Sequence, residues 1–200
     1  MKRINRLYLI RHGQIKGFED YYVYGHTDVA LTRIGLFQME RMAERLRLLD
    51  LAVIFSSDLQ RAETGARLVA QNHDVPCHAL ADLREMYFGE WEGLTLGEIR
   101  NRFPEELNKR AEDLLNYQIP GKGETIKGFA ERITSCFEKI LNENEGKDIV
   151  LVAHGGVNRI LLCRALGLDL ERMFSIHQDY GCLNIVDYFP DSAVVKLING

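Results

Sequence analysis

At 200 residues, with 46% apolar and 27% charged side chains, the chain has the size and composition of one soluble globular domain. Its formal net charge of −4 excludes a basic field that would draw the whole molecule onto nucleic acid. No apolar run approaches bilayer length, so no membrane partner is expected, and Cys77, Cys136, Cys163 and Cys182 show no CxxC pairing that would suggest a zinc site or a dense disulfide framework.

The first twelve residues, MKRINRLYLIRH, carry an apolar run too short for a secretory signal, so the expected location is the cytoplasm with reduced thiols. Leu7 to Ile10 reads as a buried strand. Residues 32–49 read as a helix that Thr32 can cap, with Met39, Met42, Ala43, Leu46 and Leu49 on one face. Residues 51–55 read as a second strand. A helix carrying Arg61, Ala62, Ala66, Leu68 and Val69 follows, with Asp58 or a serine available to cap it. Residues 75–80 are a weaker strand candidate. Residues 87–127 are charged and broken by Pro104, Pro120 and several glycines, and read as a helical and loop insertion in one domain. Residues 149–153 form the third clear strand, and a helix over 157–165 ends at Gly167. Two last strands, 183–188 and 193–198, flank a Pro190-Asp191-Ser192 turn. Strands alternating with helices predict a three-layer α/β/α fold on a mainly parallel sheet.

In open sheets of this kind, ligands bind beyond the carboxyl ends of the strands. Three such ends carry chemistry here: Arg11-His12-Gly13, the segment leading to Arg61, and His154-Gly155-Gly156. If those strands are parallel neighbours, two histidines and two arginines converge beside helix N-termini. Free backbone N–H groups and cations together suit a phosphate.

These residues resemble the histidine phosphatase (phosphoglycerate mutase-like) superfamily. Arg11-His12-Gly13 resembles its RHG signature, and Ser56-Ser57-Asp58-Leu59-Gln60-Arg61-Ala62 its SS-x-L-x-R-A segment. Leu83-Arg84-Glu85 followed by Phe88-Gly89-Glu90-Trp91-Glu92-Gly93 is similar to its L-x-E-x-x-x-G-x-W-E-G block. Gly25-His26-Thr27-Asp28 with Leu31-Thr32 and Gly35 is similar to its G-x-x-D-x-x-L-T-x-x-G stretch, and His154-Gly155-Gly156 to its second histidine motif. The motifs run in the family's order over nearly the whole chain. The block after Glu85 is similar to the phosphatase branch, and within it to the α-ribazole phosphatases of cobalamin synthesis. The resemblance implies the insertion over the active site and allows a homodimer.

The mechanism it implies is a two-step phosphoryl transfer. Neutral His12 attacks phosphorus, and water hydrolyses the phosphohistidine. Arg11, Arg61 and a protonated His154 would hold the equatorial oxygens, and Glu85 would protonate the leaving alkoxide. Gln14, Gly25 and Gly155 are expected to contact substrate, a small phosphorylated metabolite. No cofactor or metal is called for: HExxH, an EF-hand loop, a cysteine-phosphatase loop and GxxxxGK[ST] are all absent from the sequence. Gln14 stands where many members have Glu, Gly65 where alanine is usual, and Phe18 where the mutase branch has an asparagine. Phe88, Trp91 and the tyrosines of residues 15–24 could form an apolar substrate wall, and Trp91 and Phe88 read equally as core under the insertion. A mutase, or a silent regulator on the same fold, are the competing readings. The intact set Arg11, His12, Arg61, Glu85 and His154 weighs against the silent one.

Overall fold

The computed structural model describes residues 2–200. One sheet is built from β1 (Asn5–Arg11), β2 (Val53–Ser56), β3 (Cys77–Ala79), β4 (Asp148–Ala153), β5 (Leu183–Phe189) and β6 (Ser192–Leu197). Their order across the sheet is β3-β2-β4-β1-β5-β6. The four strands from β3 to β1 are parallel, and β5 and β6 continue antiparallel. Alternate side chains leave opposite faces of a strand. In β1, Leu7 and Leu9 therefore enter one core, and Tyr8 and Ile10 the other.

The Tyr8 face is covered by α1 (Arg33–Leu46) and α2 (Gln60–Ala70). The Leu7 face is covered by α5 (Ile126–Glu143), α6 (Gly155–Leu166) and the insertion, which carries α3 (Leu96–Arg102) and α4 (Pro104–Glu112). The three-layer α/β/α fold is as the sequence implies. The 18-residue α5 stands where the sequence reading placed no element. Its signal is plain in retrospect: Phe129, Ala130, Ile133, Cys136, Phe137 and Ile140 are buried at helical spacing, and Thr125 caps Gly128 N.

Thr32 caps α1 by accepting from Gly35 N at 3.0 Å. Asp58 does not cap α2. Its carboxylate pairs with Arg84 (Nε to Oδ1 2.6 Å), while the N-cap is Leu59 and the exposed Gln60 N–H is taken by Asp28 Oδ1. A charged bidentate partner across the chain outcompetes a local cap. Trp91 is 4% exposed and belongs to the core, with Tyr117 and Phe103 rings at 6.2 and 6.4 Å, so it is not a substrate wall.

Candidate active site

Register brings the three strand ends together. Arg11 lies opposite Ala153, and Ser56 opposite Val152, because β4 runs parallel between β1 and β2. The residues one step further on, His12, Ser57 and His154, therefore meet at the carboxyl edge. The His12 and His154 rings are 5.1 Å apart.

His12 is 4% exposed and its Nδ1 sits 2.8 Å from the Gly13 carbonyl oxygen. A carbonyl oxygen only accepts, so Nδ1 carries the proton and Nε2 keeps its lone pair. Burial, then Arg61 and Arg11, hold the His12 pKa well below the ordinary histidine value. The neutral form with an unprotonated Nε2 is thus favoured, in a fixed orientation. His154 is fully buried too; its Nε2 is 2.6 Å from Ser57 Oγ, and its Nδ1 is buried without a protein partner. Burial, then Arg61, His12 and Arg11, hold its pKa well down. Within the protein's own groups His154 is therefore neutral, against the protonated form that the resemblance implied.

Arg61 is 1% exposed, and its guanidinium donates to the carbonyls of Thr27 (2.8 Å) and Gly25 (2.5 Å). Burial opposes its charge, and Glu85, Asp28 and Glu92 support it. Arg11 donates to the Gln178 carbonyl at 2.5 Å and lies 3.9 Å from the centroid of the Tyr180 ring, a cation–π contact. Its Nε is buried with no partner. Glu85 accepts from Met86 N and from Gly156 N, both at 2.9 Å, which seats its carboxylate on the N-terminus of α6. A side chain at Gly156 would fall 2.2 Å from Glu85 Oε1. Gly155 is looser, since a Cβ there would be 3.1 Å from Arg159 Nη1 and 3.5 Å from Arg11 Nε.

Such an arrangement can bind a tetrahedral oxyanion and offer it one nucleophile. The family model described as the histidine phosphatase superfamily (branch 1) matches residues 7–200. The chain belongs to this superfamily. It is 28% identical over 194 residues to the adenosylcobalamin/α-ribazole phosphatase of Escherichia coli, covering 97% of this chain and 95% of that one. It is 34% identical over 159 residues to phosphoglycerate mutase-like protein 4 of Arabidopsis thaliana, covering 78% and 69%. The crystal structure of the α-ribazole phosphatase from Shigella flexneri superposes with a TM-score of 0.89 at 28% identity, covering 98% and 96%.

Among the expected substrate contacts, Gly155 of this histidine phosphatase domain lies beside Arg11 at the carboxyl edge of the sheet. The other two brace. Gln14 Oε1 accepts from Thr32 Oγ1 at 2.8 Å, tying the loop after His12 to the start of α1. Gly25 gives its carbonyl to Arg61 and its N–H to Glu92, and a Cβ there would fall 1.9 Å from the Met86 carbonyl.

Four residues were missed by the sequence reading. Ser57 bonds His154. The Glu92 carboxylate collects the N–H groups of Gly25, His26, Thr27 and Phe88 at 2.9–3.2 Å, and so folds the loop whose carbonyls grip Arg61. Those bonds hold its pKa down against burial. Gln178 is 1% exposed, holds Arg11 through its carbonyl, and joins its side chain to Asn158 and Asn184. Arg159 anchors Nε on the Ile176 carbonyl at 2.9 Å and has no carboxylate partner among the described residues. Arg159 could have been found one helical turn after Gly155. Gln178 carries no local signal, because only the closure of its loop over Arg11 gives it a role.

Proposed function

We propose that this protein is a metal-independent phosphomonoesterase that hydrolyses a small phosphorylated metabolite through a phosphohistidine on His12. The observation that carries the reading is the His12 ring itself: Nδ1 donates to the Gly13 carbonyl, leaving an unprotonated Nε2 on a ring 5.1 Å from that of His154 and under the influence of Arg61 and Arg11. Nε2 attacks phosphorus as the ester P–O bond breaks. Glu85 gives its proton to the departing oxygen, then takes one from the water that attacks the phosphohistidine, and phosphate leaves. The arginines and His154 N–H hold the equatorial oxygens as charge spreads over them. When protonated, Glu85 has one O–H to donate and keeps lone pairs for its two backbone N–H partners.

We take α-ribazole 5′-phosphate as the first substrate to try, supported by the E. coli and S. flexneri relatives. The test is turnover of a panel of phosphomonoesters in EDTA, including that ester, 3-phosphoglycerate and phosphoserine, with trapping of the phosphoenzyme by an alkaline denaturing quench. Turnover and an acid-labile phosphoenzyme, both lost in His12→Ala, are expected. Activity that needs a metal, or survives the substitution, refutes the assignment.

A further inference from the structure

Resting on that reading, we propose that Ser57 is a positioning residue: by donating its hydroxyl proton to His154 Nε2, it places the single proton of neutral His154 on Nδ1, where it serves as a hydrogen-bond donor to the transferring phosphoryl group. Register supplies the contact. Ser57 follows the last residue of β2 and His154 the last of β4, and these strands are paired, so the two side chains meet at the sheet edge with Oγ and Nε2 2.6 Å apart. Both residues are 0% exposed. Bulk solvent therefore does not reach either side chain.

The direction of the bond follows from counting donors. Nε2 of His154 is the one hydrogen-bond partner of the Ser57 hydroxyl among the described residues. If the imidazole donated through Nε2–H, the hydroxyl hydrogen would be buried with no acceptor, a cost of about 1–3 kcal/mol. With the hydroxyl as donor, the hydrogen left over is the one on Nδ1, and a bound phosphoryl oxygen would accept it, so that in the complex every hydrogen is used. The imidazole must then hold its own proton on Nδ1. That atom is buried and unpartnered, in a ring 5.1 Å from the nucleophilic ring. A phosphoryl oxygen offers lone pairs. An N–H at Nδ1 attracts it, whereas a lone pair at Nδ1 would repel it. Ser57 thus decides the sign of the interaction without touching substrate. Burial beside Arg61, His12 and Arg11 disfavours the doubly protonated ring, which is why the choice of tautomer matters.

Two measurements test this on the intact chain. Long-range proton–nitrogen NMR of 15N-labelled protein at pH 7, assigned by loss of the signal in His154→Gln, should show a pyrrole-type Nδ1 and a pyridine-type Nε2. The opposite tautomer overturns the proposal. In kinetics on p-nitrophenyl phosphate, Ser57→Ala should lower kcat by roughly tenfold to a hundredfold, less than the ~10²–10³ for deleting a donor outright, with KM changed by less than about threefold. Ser57→Thr, which keeps the hydroxyl, should recover most of the loss. In a His154→Ala background, Ser57→Ala should change kcat by less than about twofold, because the pair acts as one unit. An undiminished loss in that background shows that Ser57 does not act through His154. Absence of wild-type turnover sinks the phosphatase reading instead, and leaves the tautomer for NMR to decide.

Discussion

Gly156→Ala separates folding from chemistry at a single methyl. The added carbon would lie 2.2 Å from Glu85 Oε1 and 2.9 Å from the Phe129 ring. Neither distance is tolerable, and of the two groups the carboxylate is the freer to move. Glu85 must swing away and lose the 2.9 Å bond from Gly156 N. Helix propensity works the other way, since Gly→Ala favours a helix by up to about 1 kcal/mol. The lost hydrogen bond costs about the same. Thermal stability is therefore expected to change by no more than a few degrees. Activity should not survive so well, because general acid catalysis contributes about 10²–10⁴. The assay is kcat/KM, which reports on formation of the phosphoenzyme, for an alkyl phosphate beside p-nitrophenyl phosphate. Loss of a proton donor should cost the alkyl ester at least about 10² and the nitrophenyl ester less than about tenfold, since nitrophenolate leaves without a proton. Equal losses on both substrates, or full activity, refute the acid role of Glu85.

Further outcomes follow from the same geometry. Glu92→Gln keeps the shape of a side chain that gathers the N–H groups of residues 25–27 but removes its charge; stability should fall by about 1–3 kcal/mol in urea melts and KM for phosphate esters should rise, because the loop that grips Arg61 loosens. An unchanged KM would mean the loop holds without it. Burial lowers the pKa of both His12 and His154, so the unfolded chain binds more protons than the folded one below the unfolded value near 6.5. The stability these two neutral rings contribute is complete above pH ~6.5 and is lost as pH falls below it, by up to about 1.4 kcal/mol per pH unit for each histidine. Urea midpoints between pH 7.5 and 5.5 should show the slope, and it should shrink in His154→Gln; an identical slope there refutes the linkage. Arg159→Ala removes a cation beside Arg11, so KM for phosphate esters should rise about threefold to tenfold at low salt, less at high salt. An effect independent of ionic strength would show that its part is packing.

Much of this was legible because catalytic motifs of this fold are local. Arg11-His12-Gly13 and His154-Gly155-Gly156 follow buried apolar strands whose ends are marked by the switch from apolar to polar residues, and Thr32 announces its helix by its own capping bond. The reading lost α5 because the charge and glycines of the insertion masked where its pattern stopped and helical spacing resumed, though Phe129, Ile133, Phe137 and Ile140 state it clearly.

What the chain could not state by itself was partnership. Asp58 is as good a helix cap as any aspartate until Arg84 arrives from 26 residues away. Glu92 is one of several acidic residues in its block until the loop of residues 25–27 turns three N–H groups onto it. The preference of His154 for its neutral form likewise comes from the tertiary structure. An isolated histidine near pH 7 samples both charge states and both tautomers, and only complete burial between a serine hydroxyl and two arginines selects among them. Sequence determined which groups stand at the strand ends, because burial pattern and turn chemistry are short-range; the sheet order decided which of them share a proton or a charge, because those interactions need distances of a few ångströms that only the packed fold supplies.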